Sequence, residues 1–416
     1  MSNKAINGIK YWGQLVMLPV YWLSFLVPRN KNIWLFGSTF GRRFADNPRY
    51  LYLYASQHKD EISTDEDCTK NKSLRPIWIS HNKEVIRFLT EHGYEAYYNH
   101  SLKGIWYCLR GRIYIFDNYS KDISFWLSGG SVKFNLWHGS GNKKTNYDNK
   151  FDKVRHPRNL WERFKYFPRR LSDEKPHHYT LATSPMMAEI FTSAFHTTYD
   201  HIIQDGYPRN DMMFDADYEN LLTEQEVNTV TKMKKLKAQG CQVLVYMPTF
   251  RDSERLFFQA VNLEEFNQFL IVHKLYLFTK LHPKSKLKEQ FARVKYSNII
   301  NIDAEVDPYT FIRQCDLLVT DYSSIYSDYL MLNRPSVLFP YDFEEYTNDT
   351  RECYFKYEEY MPEVRAYTMA ELMDDIVRVL KEDTCEAGRM ELRSKIFTYV
   401  DGKASKRLCE KIKKLL

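Results

Sequence analysis

DLLVTDYSSIYSDYLMLNRPSVLFPYD, residues 316–342, decides the reading of the fold. Apolar residues run to Val319 and stop at Thr320, Asp321 and Tyr322. Ser323 and Ser324 then open a stretch, 323–333, with helical spacing. Residues 335–342 form another apolar run that ends on polar residues. Strand, tight turn, helix and strand make the unit of a parallel sheet, because parallel neighbours need a long crossover.

The same unit recurs on both sides. Ahead of 316, helices are expected over 223–240 (between Thr223 and Gly240), 263–274 and 307–315, and strands over 241–249, 275–283 and 298–303. Nearer the N-terminus, strands are expected over 32–38, 75–80, 94–99, 112–118 and 132–139. Helices are expected over 47–57, with Pro48 in the first turn, 83–93 and 102–110. Residues 58–73 read as a solvated loop, and the tail from about 367 to 416 as charged helix. Two such series, joined near 205–225, predict a bilobal α/β protein. Each lobe is a doubly wound sheet facing a cleft, with ligands beyond the carboxyl ends of the strands. The expected divisions are 1–30, 31–215 and 216–416, with a basic, aromatic insertion near 145–180. No internal repeat or low-complexity segment is visible.

Bulk properties fit a globular protein with an anionic partner. The chain has 416 residues, 27% of them charged, and a net charge of +6. A mild excess of that kind suits anionic lipid, a phosphorylated substrate or nucleic acid alike. The 7 cysteines never fall in CxxC spacing, so a reducing compartment is expected and a zinc site is not. Residues 11–28, between Lys10 and Arg29, carry no formal charge. A spanning helix needs about 20 apolar residues, and Pro19 sits mid-segment. An interfacial or re-entrant membrane anchor and a buried core helix both fit. In the insertion, Lys, Arg and His alternate with rings; a solvated helix and a surface for anionic lipid or a phosphorylated acceptor are the two readings.

Polar residues gather where strands stop, and each group could be turn chemistry alone. At 320–324 the two serines could be plain N-caps, or their amides and hydroxyls could hold phosphate. No GxGxxG and no GxxxxGK[ST] accompany them. His282 follows a strand among Lys280, Lys284 and Lys286 and could donate to a phosphate oxygen or be structural. Arg251 could fork onto an anionic oxygen or pair with Asp252. Asp205 and Asp211 read as turn caps. In LWHGSGNKK (136–144), His138 could accept a proton from an attacking hydroxyl, with Lys143 and Lys144 adding charge, or be a satisfied loop histidine.

Taken in order, WHG (137–139), GYPRND (206–211), PTFRD (248–252), LHP (281–283), TDYSS (320–324) and RPSVLFPYDFEEY (334–346) resemble the CDP-glycerol glycerophosphotransferase family. The resemblance runs from about 32 to 400. It implies a GT-B-like fold and transfer of a polyol phosphate from a CDP-activated donor to a hydroxyl of a lipid-linked or polymeric acceptor. CMP is released at the cytoplasmic face of the bacterial membrane, in teichoic acid or capsule assembly. No cofactor, metal or nucleic acid is implied. His138 matches the family's proposed general base, and His282 the histidine assigned to the donor's phosphates. Ser323 and Ser324 match the donors to the diphosphate. Arg251, Thr320, Asp321 and Asp342 fall at the donor site, and Lys143 and Lys144 on the acceptor side. A nucleotide-sugar glycosyltransferase shares the implied fold and is the alternative. One departure stands out. The family commonly continues its His-Gly with Thr-Pro-Leu-Lys, whereas Ser140-Gly141-Asn142-Lys143 follows here. Without the proline the loop is expected to be more flexible.

Overall fold

The computed structural model describes residues 11–62, 73–173, 177–251, 255–282, 285, 287, 296–345 and 352–415. Cys68, Asp252, Pro283, Lys284, Lys286, Tyr346 and most of the 58–73 loop lie outside the described residues.

The chain forms two compact units. Unit 1 holds Met1–His138, Thr145–Glu219 and Thr398–Leu416; unit 2 holds Gly139–Lys144 and Asn220–Phe397. The sheet of unit 1 contains β1 (Asn30–Phe36), β2 (Arg75–Ser80), β3 (Ala96–Tyr98), β4 (Gly111–Phe116), β5 (Val132–Asn135), β6 (Tyr179–Ala182) and β7 (Ile202–Gln204), ordered β3-β2-β1-β4-β5-β6-β7. That of unit 2 contains β8 (Gln242–Tyr246), β9 (Leu275–Lys280), β10 (Ile299–Ile302), β11 (Leu317–Thr320), β12 (Ser336–Leu338) and β13 (Val364–Arg365), ordered β10-β9-β8-β11-β12-β13. Every pairing is parallel. Each order reverses beside its first strand, which is the doubly wound topology.

The central strands explain why both faces must be covered. Trp34, Leu35 and Phe36 of β1 and Ile113 to Phe116 of β4 are fully buried, as are Val243 to Val245 of β8. Continuous apolar runs of this kind need helices on both sides. The helices start where side chains can cap them. Thr223 and Glu226 form a capping box on Glu224–Ala238, and Thr368 and Glu371 do the same on Met369–Lys381.

Several elements differ from expectation. Strands β6, β7 and β13 had no clear periodic signal. Residues 307–315 form two 3₁₀ turns, Pro308–Thr310 and Ile312–Gln314. The helix expected over 323–333 is five residues, Ile325–Tyr329, then a 3₁₀ turn that Asn333 ends in a left-handed conformation. Its start has no side-chain cap, and at five residues it sets no long helix dipole behind its first amides.

The division of the chain also differs from 31–215 and 216–416. The last helix, Ala404–Lys414, returns to unit 1. Asp211 caps it, accepting from the amides of Ala404 (2.8 Å) and Ser405 (2.9 Å). Asp205 pairs with Arg407 (2.8 Å) and Lys411 (2.7 Å) of the same helix. These aspartates therefore fasten a distant segment as well as their own turn.

The N-terminal segment is short helical pieces: Gln14–Met17, Leu18–Leu23 and Ser24–Leu26. No helix among the described residues is long and apolar enough to cross a membrane. The segment is clipped to unit 1. The Tyr21 ring stacks on Phe125 at 4.8 Å, and Ser24 Oγ accepts from the Gly129 amide at 2.9 Å. Arg29 donates to the carbonyls of Cys108, Gly111, Leu127 and Gly129. Its other face stays in solvent, with Trp22 63% and Leu26 77% exposed.

Candidate active site

In unit 1 the site residues gather at the carboxyl ends of β1, β4 and β5. β5 stops at Asn135, earlier than expected, because its side chain turns the chain: Asn135 Oδ1 accepts from the Trp137 amide at 2.9 Å. Trp137 then takes a left-handed conformation with φ +51°. A tryptophan is held there only if its surroundings insist. Asn47 Nδ2 donates to the carbonyls of Trp137 (2.9 Å) and Leu136 (3.3 Å). Buried Arg209 donates to the His138 carbonyl (3.0 Å) and to Asp46 (2.8 Å), and its amide bonds Asn47 Oδ1 (3.2 Å). Asn47, Asp46 and Arg209 thus clamp the turn that presents His138.

The imidazole of His138 is exposed, and its Nδ1 lies 2.9 Å from the Asp117 carbonyl oxygen. A carbonyl only accepts, so Nδ1 carries the proton and Nε2 keeps its lone pair. That tautomer suits a general base. Beneath it, the Asp117 carboxylate accepts from Ser38 Oγ (2.7 Å) and the Thr39 amide (3.0 Å). Asp122 accepts from the amides of Phe40 and Asn118, both at 2.9 Å. Burial, and then the neighbouring Asp117 charge, raise the Asp122 carboxyl well above the usual range. Together they hold a loop in which Thr39, Phe40 and Gly41 are all left-handed.

Unit 2 carries the second group, at the ends of β8, β9, β11 and β12. Arg251 Nη1 donates to Asp321 at 2.5 Å and to the Thr249 carbonyl at 2.6 Å. Its Nε and Nη2 bond both oxygens of Asp342, at 2.5 and 2.9 Å. Burial works against the guanidinium's charge, but Asp321 and Asp342 outweigh it and its pKa is raised. Asp321 is wholly buried and also accepts from the Thr249 and Tyr322 amides. Thr320 is equally buried, and its hydroxyl donates to the Met247 carbonyl at 2.7 Å. Thr320, Asp321 and Asp342, expected at the donor site, thus all make hydrogen bonds within unit 2. One cation between two carboxylates leaves a net negative triad, which shapes the strand ends and does not itself attract phosphate.

The residues left facing outward are Ser323, Ser324 and His282, with Ser324 and His282 exposed. The His282 ring lies 4.8 Å from Phe250, and both line a small cavity with Pro248, Thr249, Arg251 and Tyr341. Thr249 Oγ1 is buried there without a hydrogen-bond partner among the described residues. Sequence reasoning passed over Thr249, which followed a proline as an ordinary turn residue would.

The loop after His138 belongs to unit 2 and is pinned, contrary to the expectation of flexibility. Asn142 Nδ2 donates to the Phe355 carbonyl (2.9 Å) and its Oδ1 accepts from the Phe355 amide (2.8 Å). The Tyr354 amide reaches the Asn142 carbonyl at 2.8 Å, and the Lys144 amide the Glu352 carbonyl at 2.9 Å. Ser327 Oγ donates to the Ser140 carbonyl at 2.9 Å. Lys143 bridges Cys353 antiparallel, and the Lys144 ammonium pairs with Glu352 at 3.0 Å. Hydrogen bonds replace the proline's rigidity. Gly141 packs so tightly that a Cβ there would stand 3.2 Å from Ser324 Cβ. Asn47, Asp46, Arg209 and Asn142 were missed because each acts on residues far away in sequence.

The sequence profile of the family described as CDP-Glycerol:Poly(glycerophosphate) glycerophosphotransferase matches residues 20–414. A teichoic acid glycerol-phosphate transferase of Staphylococcus aureus (strain NCTC 8325 / PS 47) is 26% identical over 406 residues, covering 92% of this chain and 93% of that one. A teichoic acid poly(glycerol phosphate) polymerase of Bacillus spizizenii (strain ATCC 23059 / NRRL B-14472 / W23) is 26% identical over 382 residues, covering 87% of each. The solved structure of the wall teichoic acid polymerase TagF superposes with a TM-score of 0.71 at 20% identity, covering 99% of this chain and 97% of that one. At that identity the likeness is one of fold.

Proposed function

Because the chain belongs to the CDP-glycerol:poly(glycerophosphate) glycerophosphotransferase family, we propose that it moves glycerol phosphate from CDP-glycerol to a hydroxyl of a lipid-linked or polymeric acceptor, releasing CMP, in teichoic acid assembly. The observation that carries this reading is the Nδ1–Asp117 hydrogen bond, which leaves His138 Nε2 as a base on an exposed ring. The acceptor oxygen attacks the phosphorus that bears glycerol. The bond from that phosphorus to the bridging oxygen breaks, CMP leaves with the electron pair, and the hydroxyl proton passes to Nε2. His282 and the hydroxyls and amides of Ser323 and Ser324 hold the diphosphate, while Arg251, fixed by its two aspartates, orders the strand ends around them. Phosphoryl transfer asks mainly for position and charge stabilisation. Lys143 and Lys144 flank the acceptor with their remaining charge.

The N-terminal segment and the 160–171 region support a peripheral position on the cytoplasmic face of the membrane. Val16, Trp22, Leu26, Leu160 and Trp161 are all more than 60% exposed, amid Arg158, Arg163 and Lys165. Apolar tips in a basic surround suit an anionic interface.

The donor is tested by incubating purified protein with an acceptor and, separately, CDP-glycerol, CDP-ribitol and UDP-sugars. CMP release and acceptor growth with CDP-glycerol are expected. Turnover with a UDP-sugar alone would replace this reading with glycosyl transfer.

A further inference from the structure

We propose that the carboxyl ends of β2 and β3 in unit 1 form a second anion site, which holds phosphodiesters of a glycerol phosphate acceptor chain behind its reacting hydroxyl; the ligand's identity rests on the function proposed above. Four exposed side chains supply its donors: Arg42, His81, Lys83 and His100. Contacts join three of them into one group. The His81 and His100 rings meet edge to face at 5.9 Å, and Tyr98 meets His100 at 5.5 Å. The Lys83 ammonium stands 5.4 Å from the centre of the Tyr98 ring.

Asn99 pins the group. It is only 5% exposed, and its side-chain nitrogen lies 3.2 Å from His81 Nε2 and 3.4 Å from His100 Nε2. Its backbone amide donates to the Ser80 carbonyl at 3.0 Å, tying the end of β3 to that of β2. Arg42 arrives from the left-handed loop after β1. The His81 amide and Ser80 Oγ both donate to the Gly41 carbonyl, at 2.6 and 2.7 Å, and Asn82 Nδ2 donates to the Arg42 carbonyl at 3.3 Å. A Cβ on Gly41 would stand 2.0 Å from the His81 ring, so glycine is what lets loop and ring pack there. Fixed donors spare a ligand the cost of ordering them.

Charge and spacing select the ligand. None of the four donors enters an ion pair among the described residues. Burial, then the neighbouring His100, lowers the His81 pKa, and Arg42 adds to this. A phosphate would relieve that crowding of like groups. Carboxylates of the same region are held elsewhere: Glu95 by Arg75 (2.6 Å) and Tyr97 (2.9 Å), and Asp122 by the Phe40 and Asn118 amides. Glu84 follows Lys83 directly on a helix, where adjacent side chains do not face each other. In the order β3-β2-β1-β4-β5, three strand steps separate β2 from β5, the strand that leads to His138, and four separate β3 from it. At about 4.8 Å per step these are roughly 14 and 19 Å. A glycerol phosphate repeat has twice the backbone atoms of an amino-acid residue and so spans about 7 Å when extended. With the terminal hydroxyl at His138, the second phosphate back falls near β2 and the third near β3.

Oligo(glycerol phosphates) of one to five repeats, carrying no lipid and titrated into the full chain by calorimetry without CDP-glycerol, test the site apart from turnover. Affinity should rise at least about tenfold between one and three repeats and level off beyond, with inorganic phosphate binding more weakly than the three-repeat chain. Arg42→Glu and His100→Glu should each remove most of that rise. Lys235→Glu, a charge reversal at an exposed helix position of unit 2, should keep it. All three variants should hold the wild-type thermal midpoint. In transfer assays, the preference in kcat/KM for a three-repeat over a one-repeat acceptor should fall in the first two variants by the factor seen in binding. Wild-type affinity independent of length, inorganic phosphate bound as tightly as three repeats, or an equal loss in Lys235→Glu would overturn the proposal. Length-dependent binding by a wild type that turns over no CDP-glycerol would instead fault the function and leave the anion site standing.

Discussion

A histidine acts as a base through the nitrogen that its neighbours leave unprotonated. At His138 that choice is made by the Asp117 carbonyl, and the ring's direction by the left-handed Trp137. The least obvious contributor is Asn47, buried 89 positions or more from the carbonyls it holds. Asn47→Asp keeps the acceptor for the Arg209 amide but sets an oxygen against the Leu136 and Trp137 carbonyls. Unpaired buried carbonyls cost about 1–3 kcal/mol each, enough to release the turn. We expect kcat to fall at least about tenfold while KM for CDP-glycerol stays within about twofold, because the residues proposed to hold the donor are untouched. Steady-state kinetics on protein shown to be folded by circular dichroism checks this. A matching rise in donor KM, or no change in kcat, would remove Asn47 from the role of positioning residue.

Among the elements, those with a strong period were legible: β1, β2, β4, β8, β9 and β11 fall where apolar runs place them. The short helix Ile325–Tyr329 was overestimated because its apolar spacing continues through Leu330 and Leu332, where the backbone tightens to 3₁₀. The loop 139–144 was misjudged because the absence of proline is local information, while Asn142 finds Phe355 across 213 positions. β6 was hidden by its histidine-rich approach, and that approach has a consequence for acid stability. Burial, followed by the nearby His178 and Arg155, lowers His177 to about 3; burial, followed by Lys133 and His201, lowers His178 to about 4. The Lys133 amide donates to His178 Nδ1 at 3.1 Å, which favours the neutral ring. Unfolded histidines titrate near ~6.5, so between that value and about 4 the unfolded chain binds more protons. Stability is therefore complete above about pH 6.5 and declines as pH falls, by at most about 1.4 kcal/mol per pH unit for His177. Urea unfolding at pH 7, 6 and 5 should show this decline, and His177→Asn should flatten it. An equal slope in that variant would place the acid sensitivity elsewhere.

At the scale of the molecule, two doubly wound sheets were legible because parallel strands buried on both faces print themselves as apolar runs. The return of Ala404–Lys414 to unit 1 was not. It depends on Asp211 and Asp205 meeting amides and cations some 200 positions later, a relation without periodicity. The same limit governed the sites. Strand-end residues such as His138, His282, Ser323 and Ser324 could be found by position, but the partners that decide their chemistry could not. For Arg251, Asp321 and Asp342, position at the strand ends was legible, whereas the ion pairs among them emerge only in the fold. The proposed reaction assigns proton transfer to His138 of unit 1 and donor binding to residues of unit 2, so one variant can separate them. CDP-glycerol binding by calorimetry and acceptor-dependent CMP release, measured on wild type and His138→Ala, test this most directly. The account predicts transfer reduced by about 100-fold or more with donor affinity held within about threefold. A folded His138→Ala protein that transfers at the wild-type rate would contradict it.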